Sequence, residues 1–427
     1  MAIKGCRFTV LSVAILCTLG AETRAMEWDG LFSPVSTWLD ETEPLQISDA
    51  VANPQPGAMT FHASVAQYYL GVIDGGRSQQ WQYAGSGNYQ IGLDLGKLGV
   101  QEGLSLRVLA ANRWGNPLGR ETGGILPPAL DSQLPSPATY DLVLLDVVFT
   151  QVLNENLALF AGKIDTLDGD MNPFASGRGR TGFMNTSMLL PVNAIPTLPL
   201  STLGAGAIFM KDGTPFGQLM ILNSTDTTTT SGFDQLFDNG AAVVGAITLP
   251  VPLFGKFGIQ SLMGAYNSKT FTALGQDPRV IHPSIPLSPT NGSWLISWGA
   301  AYYFEQFDPE HDPLNGWGLF ARAGFSDPEV NPISHWVNLG IGGNSPIRGR
   351  HNDRFGLGWY YNALSSDLGP IAQAVIMPKS YSTGMELYYN YAVNEHLFIT
   401  PDFQIFSPGT ATSSTATIAG VRFEIVL

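Results

Sequence analysis

The chain has 427 residues, of which only 13% are charged, with 35 acidic against 21 basic residues and a net charge of −14. That balance, without a basic stripe, argues against nucleic acid as a partner. The two cysteines, Cys6 and Cys17, both lie near the N-terminus, so no disulfide framework supports the rest of the chain.

Lys4 and Arg7 precede the apolar run 8–19, and Thr23-Arg24-Ala25 offers small residues for cleavage. Residues 1–25 read as a secretory signal peptide, because the run is shorter than the ~20 residues of a spanning helix. Residues 26–59 differ in pattern from the rest of the chain. Trp28, Leu31, Phe32, Val35, Trp38 and Leu39 suit a short amphipathic helix, and Asn53 to Gly57 breaks it. This stretch is expected to be a periplasmic extension preceding the main domain, 60–427.

Sixteen segments of alternating side-chain character make up that domain, at 61–70, 83–95, 104–112, 141–151, 156–165, 203–210, 216–223, 241–249, 257–266, 294–304, 317–325, 336–342, 354–362, 383–392, 396–406 and 417–427. Successive side chains of a strand point to opposite faces. In the last segment Ala419, Val421, Phe423, Ile425 and Leu427 share one face, and Gly420, Arg422 and Glu424 the other. The connections alternate between short and long. The longer set is 71–82, 113–140, 166–202, 224–240, 267–293, 326–335, 363–382 and 407–416, with local exceptions around 305–353. An even number of amphipathic strands with this rhythm predicts an all-β protein, a transmembrane antiparallel up-and-down β-barrel. Sixteen strands enclose more space than inward side chains fill, which leaves an aqueous channel.

On this pattern Asp94, Arg107, Arg113, Asp146, Lys163, Arg322, Arg354, Glu386, Asp402, Arg422 and Glu424 face the lumen. A one-signed ring would select ions. Mixed charges with Asn, Gln and Tyr suit a neutral polyhydroxylated solute, whose hydroxyls both donate and accept. The longest connection, 166–202, carries Asp168, Asp170, Arg178, Arg180, Phe183 and Asn185, and is predicted to fold inward and narrow the pore. Asp165 to Asp170 resembles a calcium loop but lacks the closing glutamate, so it reads as a turn with solvated carboxylates and no metal. Arg113 sits at the base of 113–140, where Glu121 and Asp131 are the candidate acids to hold it across the opening. Trp294, Trp298, Trp359, Tyr361, Tyr389 and Tyr391 fit either interfacial girdles or sugar-stacking platforms. No zinc-protease, nucleophile-elbow or phosphate-loop motif occurs, and neither an enzymatic activity nor a cofactor is expected.

Several blocks resemble the carbohydrate-selective porin family (OprB type) of Gram-negative outer membranes. They are Asp94 to Leu98, Asn112 to Leu118, Gly162 to Asp165, Phe183 to Asn185, Gly318 to Gly324, Arg350 to Gly358, Glu386 to Tyr389, Pro401 to Gln404, Pro408-Gly409 and Gly420 to Arg422. The resemblance implies a sixteen-stranded barrel passing sugars by diffusion, without a cofactor, with a constriction arginine at the segment matching Arg113. One departure is Leu427, where such porins usually end in an aromatic that the assembly machinery favours. The expected function is therefore passive, carbohydrate-preferring diffusion across the outer membrane. A general diffusion porin is the alternative, and a barrel enzyme or adhesin a more distant one. The partners expected are small carbohydrates, outer-membrane lipids and, during insertion, the barrel-assembly machinery. Monomer and trimer both remain open.

Overall fold

The computed structural model describes residues 57–135, 141–167, 172–211, 213–276, 289–309, 312–369, 373 and 377–427. The expected signal peptide, nearly all of the N-terminal extension, Asp168 and Asp170 lie outside the described residues. The first eight strands are β1 (Met59–Gly76), β2 (Trp81–Asp94), β3 (Leu104–Gly115), β4 (Val143–Asn154), β5 (Leu157–Asp165), β6 (Ser201–Lys211), β7 (Thr214–Asn223) and β8 (Ala241–Pro250). The others are β9 (Gly258–Thr272), β10 (Pro289–Asp308), β11 (Asp312–Ser326), β12 (Ile333–Asn344), β13 (Arg354–Leu364), β14 (Tyr381–Ala392), β15 (Leu397–Ser407) and β16 (Ser414–Val426).

Each strand pairs antiparallel with its sequence neighbours, and β1 closes on β16. Beyond β16 the ladder continues, with Ala63 and Leu427 exchanging backbone hydrogen bonds of 3.1 and 2.8 Å. Among the described residues closure leaves no strand edge unpaired, as a hydrocarbon environment demands. Every predicted strand is present, several of them longer than the alternation suggests. The connection expected at 71–82 is a turn at 77–80, and that expected at 305–316 shrinks to 309–311. The second makes the rule of short turns at one end cleaner, whereas 77–80 is a short member of the longer set; 95–103 and 345–353, equal in length, are the longest at the short-turn end.

The face assignment holds at β16, where Phe423 and Ile425 are exposed on the outside and Arg422 and Glu424 are buried inside. Of the six girdle candidates, Trp294, Trp298 and Tyr391 are exposed on the outer face. Trp359, Tyr361 and Tyr389 alternate with the inward Tyr360 and Tyr388 and share that outer face. None of the six is placed to stack a sugar in the lumen.

The interior is occupied by chain. The connection 166–200 enters the barrel and carries two single-turn helices, α1 (Thr186–Leu189) and α2 (Ala194–Thr197). Its Phe174, Phe183, Met184, Met188 and Leu189 are buried against Tyr303, Phe320, Tyr360 and Tyr388 of the inner wall. Phe183 meets Phe320 and Tyr388 edge to face, with centroids 5.6 and 4.9 Å apart. The wall is shaped for this. A Cβ at Gly358 would stand 2.2 Å from Cε of Met188, and one at Gly356 2.7 Å from the Phe183 ring. The absence of a side chain at both positions lets the loop lie close against the wall.

Candidate pore constriction

Among the described residues a second connection, 116–142, joins 166–200 inside the barrel; the alternation pattern did not reveal its inward course. Its Leu130 amide donates to the Met184 carbonyl at 2.9 Å, and the Thr186 hydroxyl to the Pro127 carbonyl at 2.8 Å. Leu118, Ala129 and Leu130 join the same apolar cluster as Phe183. The sequence signal available was the apolar character of that cluster, in a stretch read as a long connection carrying the candidate acids Glu121 and Asp131.

Much of the inward charge on β11–β16 holds the loop 166–200. Glu386 Oε1 accepts from the Met184 amide at 2.5 Å and Oε2 from the Asn185 amide at 2.9 Å. Asn185 in turn donates to Gln404 at 3.0 Å. The Arg322 guanidinium donates to the Met188 carbonyl, to the Leu189 carbonyl at 3.3 Å and to Asn338 at 3.1 Å. Arg422 donates to the carbonyls of Gly179 and Gly182, the latter at 3.2 Å, and Arg354 reaches Pro173 at 2.9 Å. Arg322, Glu386 and Arg422 are thus buried beneath the loop. Glu386 faces inward as the sequence predicts, but a loop turn covers it, and it acts as an anchor instead of lining open water.

A polar surface on β1–β4 faces residues 176–182. Three arginines line up there, each held by a carboxylate. Arg107 of β3 donates through Nε to Asp146 at 2.6 Å. Arg178 pairs with Asp165 at the end of β5. Arg180 pairs with Asp131 at 3.0 Å and donates to Ser64 at 2.6 Å and Ser86 at 3.1 Å. With its amide oxygen turned toward Arg180, Asn88 accepts at 2.7 and 2.9 Å. Asp131 also accepts from Tyr68 at 3.0 Å and from Ser86, so this carboxylate clamps the connection 116–142 to 166–200 and to the wall. Beside them is a cavity of about 370 Å³ lined by Ser64, Asn88, Gln90, Arg178, Arg180 and Glu424, among others.

The remaining candidates fall elsewhere. Arg113 stands opposite the inward Ser86 on β2 and is half-buried, and its Nε donates to the Pro135 carbonyl at 2.9 Å. Neither acid proposed for it is its partner. Asp131 is taken by Arg180, and Glu121 accepts from Gln82 at 2.8 Å beside the β1–β2 hairpin. Asp94 caps the Lys97 amide at 3.0 Å in the turn 95–103. Lys163 does not join the arginines. Its ammonium donates to the carbonyls of Thr227 and Thr230 at 2.6 and 2.7 Å, and in register it opposes Val147, not the inward Val148. Backbone carbonyls of the connection 224–240 supply the solvation that the alternation argument assigned to lumen water.

Comparison with known proteins agrees with this architecture. A structure of Pseudomonas putida OprB at high pH superposes with a TM-score of 0.72 at 14% identity, over 89% of this chain and 96% of that one. A low-pH structure of the same protein gives 0.51 at 13% identity, over 89% and 95%. At such identities the likeness speaks for the fold alone. No curated protein matches the chain. The family description that matches is "Carbohydrate-selective porin, OprB family", over residues 78–427. With its sixteen-stranded closed barrel and that match, the chain belongs to the carbohydrate-selective porins of the OprB family, channels of the Gram-negative outer membrane that pass small sugars.

Proposed function

We propose that sugars cross this barrel along the wall of β1–β4, between it and residues 176–182. Arg107, Arg178, Arg180 and Arg113 supply the donors, and Ser64, Asn88 and Gln90 supply groups of both kinds. One observation carries the reading: three lumen-side arginines each stand against an aspartate. The pairs hold the guanidinium forks in fixed geometry while cancelling most of their field. A passage so built offers directional hydrogen bonds without strong ion selection, which matches an uncharged polyhydroxylated solute. Arg113 is the exception, because its partner among the described residues is a carbonyl. It adds a positive charge above the paired set. Sugars make brief contacts along this path and leave again, since tight binding would stop conduction.

The apolar outer face meets lipid, and the assembly machinery would receive the strand ending in Ile425 and Leu427. Liposome swelling tests the solute preference. Vesicles carrying the protein should swell faster in a hexose than in an organic anion or cation of similar size. Equal rates for all three would reduce the channel to a general diffusion pore.

A further inference from the structure

The connection 345–353 is, with 95–103, the longest at the periplasmic end, and it is tightly built. Asp353 accepts from Arg350 at 2.5 and 2.7 Å, from the Tyr389 hydroxyl at 2.7 Å and from the Ala392 amide at 2.9 Å. The Arg350 guanidinium lies over the Tyr391 ring, 3.9 Å from its centroid, and Ser345 Oγ is 3.5 Å from the Tyr389 hydroxyl. Tyr389 and Tyr391 belong to the outer face of β14, so the turn is folded back around the rim onto the outside of the barrel.

Between this turn and the outer wall lies an apolar groove of about 490 Å³, lined by Ile347, Phe355, Leu387, Tyr389, Pro401 and Phe403. Pro401 helps to form it. The β14–β15 ladder runs as far as Tyr388–Asp402 and resumes only at Tyr391–Ile399, because proline has no N–H to give to the ladder. Such a volume is within the ~300–1,000 Å³ typical of ligand sites. Across 345–353 the sequence holds Arg348 and Arg350 against one acid, Asp353. Arg350 is committed to Asp353, whereas Arg348 is exposed and follows Ile347 of the groove directly.

We infer that this groove binds one phospholipid of the periplasmic leaflet, an acyl chain lying along Leu387, Pro401 and Phe403 and the phosphate meeting Arg348. The surroundings select the occupant. A groove on the outer face at the periplasmic end opens on hydrocarbon, and a cation at the level of the turn meets the headgroups. Arginine suits a phosphate because its planar fork donates two parallel hydrogen bonds. The site fixes the barrel's height and rotation in the leaflet at β13–β15, away from the sugar path.

Native mass spectrometry of detergent-purified, delipidated protein titrated with dioleoylphosphatidylglycerol tests the inference. The wild type should take up a first lipid more tightly than later ones. Arg348→Glu should weaken that first step about tenfold, the loss of one charge-assisted contact, and Ile347→Asp should weaken it as well. Arg120→Glu, the same charge change on an exposed residue of the connection 116–142, should leave it unaltered. A first lipid bound no more tightly than the rest would overturn the inference. So would equal binding by Arg348→Glu and the wild type, an unaffected Ile347→Asp protein, or an equal loss in Arg120→Glu. Ile347 and Arg348 lie in a turn outside the strands. Heat-modifiable migration of each variant confirms that the barrel has formed before the lipid is titrated.

Discussion

Replacing Glu386 by Gln should loosen the constriction without unfolding the barrel. The carboxylate accepts from two consecutive buried amides, those of Met184 and Asn185, at 2.5 and 2.9 Å. Glutamine has nearly the same shape but only one acceptor atom, so its NH2 group is left facing a backbone N–H. One hydrogen bond to the buried carboxyl is lost and one buried donor is stranded, at a cost of ~1–3 kcal/mol. Taking about 2 kcal/mol, the population with a released loop rises roughly thirtyfold at 1.4 kcal/mol per decade. The barrel ladder on both sides of residue 386 is backbone to backbone and does not depend on this side chain. The expected outcome is a noisier channel of higher mean conductance, with faster proteolytic cleavage between 174 and 190, at unchanged heat-modifiable migration in SDS. Wild-type noise together with wild-type cleavage rates in a folded Glu386→Gln protein would refute the anchoring role.

Other substitutions probe the remaining parts. Arg113→Ala should weaken sugar block of the current by roughly tenfold, the worth of one charged hydrogen bond, while open-channel conductance holds or rises; unchanged block would remove Arg113 from the path. Gly358→Leu places atoms where Met188 and Phe183 now sit, and an overpacking cost of ~1–3 kcal/mol should push the loop off the wall and raise conductance in bilayer recordings. For the turn 345–353, burial pushes the Asp353 carboxyl up, but hydrogen bonds from Arg350 and Tyr389 outweigh it and hold the group below its ordinary 3.8. A lowered value in the folded state means that the stabilisation is complete above 3.8 and is lost only as pH falls through the lower one. Hydrogen exchange of 345–353 should therefore stay protected at mildly acidic pH and fade below that ordinary value.

The barrel was legible because its physics is local. Alternation at Val421 to Leu427, or at Met385 to Tyr391, needs only a strand with lipid on one side and polar groups on the other. The same logic placed Glu386, Arg322 and Arg422 inside. What they touch there was not legible, because their partners, Met184, Asn185, Met188 and Gly179, lie well over a hundred residues away and offer backbone groups that have no sequence signature. Arg113 shows the same limit. Spacing suggested Glu121 or Asp131, both near in sequence, but Asp131 is claimed by Arg180 from the other loop. Lys163 failed for a different reason: alternation assumes that a charge avoids the outer face, and carbonyls of a neighbouring connection met that need instead. Nothing in the sequence set apart the glycines at 356 and 358, and their role as the seat of Phe183 and Met188 emerges only once the loop is in place.

If sugars cross the loop-narrowed barrel along its wall of paired arginines, single-channel current in a planar bilayer titrated with a small neutral sugar should show it. Conductance should fall saturably beyond the effect of viscosity, and the fall should be weakened in Arg113→Ala and in Arg180→Ala. A conductance that falls only with viscosity, and equally in all three proteins, would contradict that route.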